Sequence, residues 1–164
     1  MEPQLKVLKV MSGITGHLDM NQFAQAVGLT PQQTTEQMKE LAKAGLVKKV
    51  DSGYSITEKG KATLKAVEPV AECKEFRFYI GIGENTGFSV GSVREFHDVA
   101  EKVDARSLEF HLNRGDFENW ISTAVNDAAL AQDFTAMKTK GLKGETLRKA
   151  ITKAIETRFS LCTC

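Results

Sequence analysis

The chain has 164 residues, 41% of them hydrophobic, and 22 Lys and Arg against 21 Asp and Glu, for a formal net charge of +1. That suffices for one medium domain or two small ones and excludes a protein that is basic throughout. No apolar run approaches the roughly 18 residues that span a bilayer.

The opening Glu2-Pro3-Gln4 lacks the basic-then-apolar order of a signal peptide. Three cysteines, two of them in the last three positions, form no secreted disulfide framework. The expectation is a cytoplasmic protein without membrane contact. Charge is shared unevenly: residues 1–70 carry nine Lys and seven acids, and residues 71–164 carry seven Lys, six Arg and fourteen acids.

Leu5, Leu8 and Met11, with Val7 beside them, recur at helical spacing and predict a first helix over residues 3–12. Gly13 and Gly16 end it. Asp19 is placed to cap a second helix from Met20 to Val27, with Phe23, Ala24 and Val27 inward. Gly28 stops that helix. Thr30 caps a third, with Pro31 at the first position, where no amide partner is lost. Thr34, Met38, Leu41 and Ala42 make its buried stripe, and Gly45 closes it. Leu46 and Val47 start a strand that turns at Asp51-Ser52-Gly53 into a second strand, and Thr57 caps a fourth helix.

That stripe turns Gln32, Gln33, Thr35, Glu36 and Lys39 outward. In a helix-turn-helix this part of the third helix meets base edges. Glutamine can pair two-fold with adenine, whereas lysine mostly holds phosphate. Lys43 on the same helix, Lys48 and Lys49 on the strand pair, and Lys59 and Lys61 beyond it are placed for backbone contact, which is salt-dependent and sequence-blind.

Thr30-Pro31, the ending Leu41 to Val47 through Ala44-Gly45-Leu46, and Tyr54-Ser55-Ile56-Thr57-Glu58-Lys59-Gly60 together resemble the winged helix-turn-helix of small prokaryotic transcription regulators, over residues 1–68. The resemblance implies a DNA-binding domain. Glu36 departs from it, standing where such helices often carry a basic or neutral polar residue.

Residues 69–75, with Pro69, read as a linker to a second domain over residues 76–164. Phe76, Phe78, Ile80 and Ile82 alternate with Arg77, Tyr79, Gly81 and Gly83, the pattern of a half-buried strand. Ser92 and Glu95 have capping-box spacing for a helix through Val103. Leu108, Phe110 and Leu112 alternate again and predict a strand over 107–112. Asp116 is placed to cap a helix with Phe117, Trp120, Ile121 and Ala124 inward. Asp127 opens a further helix to Lys138, Lys140 to Gly144 turn, and the last helix runs from Glu145 to Phe159. The whole reads as α+β: an N-terminal winged helix-turn-helix followed by a small α+β domain of two or more strands and about four helices.

Phe76-Arg77-Phe78-Tyr79 with Gly81 and Gly83-Glu84, Ser107-Leu108-Glu109-Phe110-His111-Leu112, Arg114-Gly115-Asp116-Phe117-Glu118-Asn119-Trp120-Ile121 and Leu130-Ala131 resemble an uncharacterised domain found mainly in archaeal proteins, across residues 75–159. No activity comes with that resemblance.

Gly81-Ile82-Gly83, Gly87 and Gly91 fit neither nucleotide-binding fingerprint and read as a turn needing positive φ. Glu109 and His111 share one face of the expected strand beside Arg114 and Asp116. That cluster is either a pocket for a small anion or effector, or ion pairing that pins a loop. Cys162 and Cys164 are thiolates a soft metal could use, with Cys73 and His97 or His111 in reserve, but two cysteines one residue apart cannot close a tetrahedral site alone. No metal and no cofactor are expected. No nucleophile–base pair or paired carboxylates have recognisable spacing, so the chain is not read as an enzyme.

The expectation is a transcriptional regulator that binds double-stranded DNA as a homodimer, paired through Leu5, Leu8 and Met11 or through Leu147, Ile151 and Ile155. One alternative is a protein–protein interaction subunit of a larger cytoplasmic assembly, with a protein partner on the second domain. The other is a ligand- or metal-responsive sensor.

Overall fold

The computed structural model describes residues 2–14, 20–51 and 53–161. Among them the chain is mixed α and β, with nine α-helices, one π-helical turn and two antiparallel two-stranded sheets. It divides into two compact units between Lys65 and Ala66. No described helix is long and apolar enough to cross a membrane. Gly16, Asp19, Ser52, Cys162 and Cys164, to which the sequence assigned a helix end, a cap, a turn and possible thiolates, lie outside the described residues.

In the first unit, α1 (Glu2–Gly13) buries Val7 and Leu8, and α2 (Met20–Val27) buries Phe23, Ala24 and Val27. Both pack with α3 (Pro31–Lys43), whose Met38 and Leu41 complete one core with Val47. The start of α3 is fixed reciprocally. The Thr30 hydroxyl accepts from the Gln33 amide at 3.2 Å, and the Gln33 side-chain oxygen accepts from the Thr30 amide at 3.1 Å. This satisfies two donors that a helix start otherwise leaves orphaned. Gly45, at φ +75°, ends the helix in the left-handed region.

β1 (Val47–Val50) then pairs with β2 (Gly53–Ile56), with Val47 opposite Ile56 and Val50 opposite Gly53. α4 (Glu58–Val67) follows, and its first turn locks the hairpin to the end of α3. The Thr57 hydroxyl donates to the Gly45 carbonyl at 2.7 Å and accepts from the Gly60 amide at 3.1 Å. Lys59 Nζ donates to the Ala44 carbonyl at 2.9 Å. A side chain at Gly60 would run into the Leu46 carbonyl oxygen and stand 2.8 Å from Ile56 Cγ1, so the close approach requires glycine.

In the second unit, β3 (Phe76–Gly81) and β4 (Glu84–Val90) form a hairpin closed by Ile82 and Gly83, with Gly83 at φ +79°. Gly87, at φ +84°, lies within β4. The glycine-rich stretch expected as a plain turn is therefore largely a strand. Its alternation of Thr86, Phe88 and Val90 is short and is interrupted by Gly87 and Ser89, so it carries little strand signal.

Around the hairpin stand α5 (Val93–Ala100), α6 (Ala105–Arg114), α7 (Asp116–Trp120), a π-helical turn (Ile121–Val125), α8 (Ala128–Thr139) and α9 (Gly144–Phe159). The core is aromatic: Phe76, Phe78, Phe96, Phe117, Trp120 and Phe134 meet there, and Phe96 stacks on Trp120 with centroids 5.5 Å apart. The buried carboxylate of Asp127 caps α8 and takes two bonds from Arg158 on α9, at 2.8 and 3.0 Å.

Residues 107–112 are helical, not a strand. Ser107, Leu108, His111 and Leu112 are buried while Phe110 is half-exposed, which is a 3.6-residue period. Counting only Leu108, Phe110 and Leu112 gave a false period of two. The cap Asp104 and the stop Gly115, at φ +77°, bound the helix.

Residues 69–75 are tied into the second unit. The Val70 amide donates to the Gly91 carbonyl at 2.7 Å, and Trp120 Nε1 donates to the Lys74 carbonyl at 2.7 Å. Leu147, Ile151 and Ile155 are buried in that unit's own core and Leu8 in the core of the first, while Leu5 and Met11 are half-buried.

Candidate nucleic-acid interface and a cleft in the second unit

On α3 the inward positions fix the outward ones. Gln32, Glu36, Lys39 and Lys43 are all exposed and follow one another at intervals of four, three and four residues, a single stripe opposite Thr34, Met38 and Leu41. Thr35 is half-exposed, and its hydroxyl donates to the Pro31 carbonyl at 2.9 Å. Gln33 is exposed, but its carbonyl oxygen holds the Thr30 amide. Of the two glutamines, Gln32 alone keeps its whole amide for a partner.

The lysines separate into three groups. Lys39, Lys48 and Lys49 are exposed and form no hydrogen bond or ion pair among the described residues. Lys43 meets Glu40 at 3.4 Å, and Lys61 meets Glu58 at 2.7 Å, both as exposed pairs. Such pairs contribute about 0–1 kcal/mol and yield easily to a phosphate. Lys59 is committed to the α3 carbonyl end, where its charge also interacts favourably with the negative end of the helix dipole. Of the lysines expected at the DNA backbone, Lys59 is thus engaged within the fold.

The second unit holds an open cleft of about 510 Å³ lined by Phe76, Tyr79, Phe110, His111, Arg114 and Asp116, among others. Ile82, at the hairpin turn, borders it and is 89% exposed. Three members of the expected polar cluster meet there. His111 Nε2 accepts from the Tyr79 amide at 2.8 Å. That leaves the ring proton on Nδ1, which donates to Asp116 Oδ2 at 2.8 Å. Burial pushes the His111 pKa below its usual 6.5, against the pull of Asp116. Arg114 lies over the Phe110 ring at 5.1 Å and reaches the same Asp116 oxygen at 3.3 Å.

Asp116 therefore serves His111 and Arg114 and gives α7 no side-chain cap. Both nitrogens of His111 are used, so the ring cannot serve as a base without losing a bond.

Glu109 does not join the cluster. On a helix, residues two apart point nearly opposite ways. Its Oε1 accepts instead from the Gly144 amide at 2.8 Å, at the start of α9. No local pattern hints at that long-range bond, nor at Tyr79 and Asn119 as cleft walls. Cys73 is exposed, at φ +67°.

No family model, no curated protein and no solved structure matches this chain, so the geometry alone carries the functional reading.

Proposed function

We propose that the first unit is a winged helix-turn-helix that binds double-stranded DNA in a transcriptional regulator. In this reading α3 enters the major groove and the β1–β2 hairpin is the wing that follows the phosphate backbone. One observation carries it: a stripe of Gln32, Glu36, Lys39 and Lys43 lies opposite the buried Thr34, Met38 and Leu41, and the adjoining hairpin displays Lys48 and Lys49 without hydrogen-bond or ion-pair partners among the described residues. Gln32 is the base reader, and the lysines are sequence-blind contacts.

Glu36 and Glu40 favour a second reading. They balance Lys39 and Lys43 on α3, leaving that helix without net charge from these four residues, as a protein-binding surface would tolerate. A gel shift of the full chain on fragmented genomic DNA separates the two. Retarded bands that sharpen on a subset of fragments support DNA reading. Absence of any shift in low salt transfers the face to a protein partner.

A further inference from the structure

His97 lies on α5, and the end of that helix also carries Asp98 and, at its C-cap, Glu101. The His97 residue is 6% exposed, and its Nε2 stands 2.9 Å from Glu156 Oε1 on α9. A carboxylate only accepts, so the neutral ring places its proton on Nε2 and leaves the Nδ1 lone pair open. Nδ1 is buried and has no hydrogen-bond partner among the described residues. Asp98 Oδ1 stands 3.5 Å from it, and the donor atoms of His97, Asp98 and Glu101 all lie within 4.8 Å of one another. Acceptors facing one another at that spacing repel, and a cation among them makes each a ligand. The carbonyl end of α5 adds to the attraction for positive charge.

We propose that His97 Nδ1, Asp98 and Glu101 bind one divalent first-row transition-metal ion of the zinc type. One imidazole nitrogen with two carboxylates suits such ions, whereas calcium and magnesium take oxygen ligands alone. Three protein ligands leave a fourth position for water. Glu156 is a positioning residue that holds the ring tautomer, the arrangement metal-bound histidines commonly show. Arg94, half-buried, approaches the exposed Asp98 at Oδ1, 3.6 Å away, a long contact that a divalent ion displaces. The site uses no residue of the proposed DNA face and does not depend on that reading.

The test uses the full chain with Cys73, Cys162 and Cys164 replaced by serine, stripped with chelator and titrated with zinc by calorimetry. One equivalent is expected. Combined Asp98→Asn and Glu101→Gln should weaken it about ten-fold or more, as should Glu156→Ala, the effect typical of residues that hold a ligand in place. Far-UV circular dichroism and the metal-free melting temperature verify that these variants fold. Nitrogen NMR of the His97 ring should show Nδ1 shifting as zinc binds. No equivalent of zinc, an affinity untouched by the Asp98 and Glu101 changes, or a His97 ring doubly protonated at neutral pH and unmoved by zinc would each overturn the proposal.

Discussion

Gln33 gives its side-chain oxygen to the Thr30 amide, while Gln32, one residue earlier, faces solvent with its amide uncommitted. The two substitutions should therefore part company. Gln33→Ala is expected to lower unfolding free energy by about 1 kcal/mol through the lost cap. Gln32→Ala should leave stability unchanged and blunt discrimination at one base pair by about 1–3 kcal/mol. Urea melts and site selection read the two effects, and an unchanged preferred site in Gln32→Ala would remove it as a reader.

His111 gives a second residue-scale expectation. Burial holds it neutral in the folded chain, with its pKa below 6.5. As pH drops below 6.5, the unfolded chain takes up this proton before the folded one does. The contribution is therefore complete above that pH and is lost as pH falls to the folded pKa. His111→Ala should be less stable at pH 8, because the Tyr79 amide loses its acceptor, at a cost of about 1–3 kcal/mol. It should also lose less between pH 7 and pH 5.5 than the parent does. Parallel urea midpoints across that range would contradict the assignment. DNA binding of the folded variant should be unchanged if the cluster is structural.

Among the elements, the join between α3, the β1–β2 hairpin and α4 is the most constrained by backbone approach. Gly60→Ala forces a side chain against the Leu46 carbonyl and should cost about 1–3 kcal/mol, the usual penalty of overpacking. Thermal melts check it, and an unchanged midpoint would mean that the two segments separate freely. The elements of this unit were legible in sequence because each carries its own punctuation. Thr30-Pro31 opens α3, Gly45 closes it, and Thr57 opens the next helix. Residues 107–112 misled for a physical reason. Ser107 and His111 are buried polar residues, Ser107 fully and His111 through two hydrogen bonds, so a count of apolar side chains missed half of the α6 face. β4 was missed for another reason: Gly87 at positive φ and the polar Asn85, Thr86 and Ser89 leave only Phe88 and Val90 as apolar marks. The candidate DNA face was readable because inward residues determine outward ones on a single helix. The Glu156 to His97 and Glu109 to Gly144 bonds join residues 59 and 35 apart, and no local pattern encodes them.

For the whole molecule, net charge near zero says little about partners, because the exposed lysines of the first unit are diluted by the acids of the second. What matters is which lysines remain unengaged, and Lys39, Lys48 and Lys49 have no hydrogen-bond or ion-pair partner among the described residues. The most direct measurement is fluorescence anisotropy of the full chain on mixed-sequence duplex DNA across a salt series, beside the Lys48→Ala, Lys49→Ala variant. The parent should bind in low salt and weaken log-linearly with salt. The variant should bind every duplex more weakly by a similar factor, with a slope reduced by about 1–2. No binding in low salt, or an unchanged slope in the variant, would contradict the account.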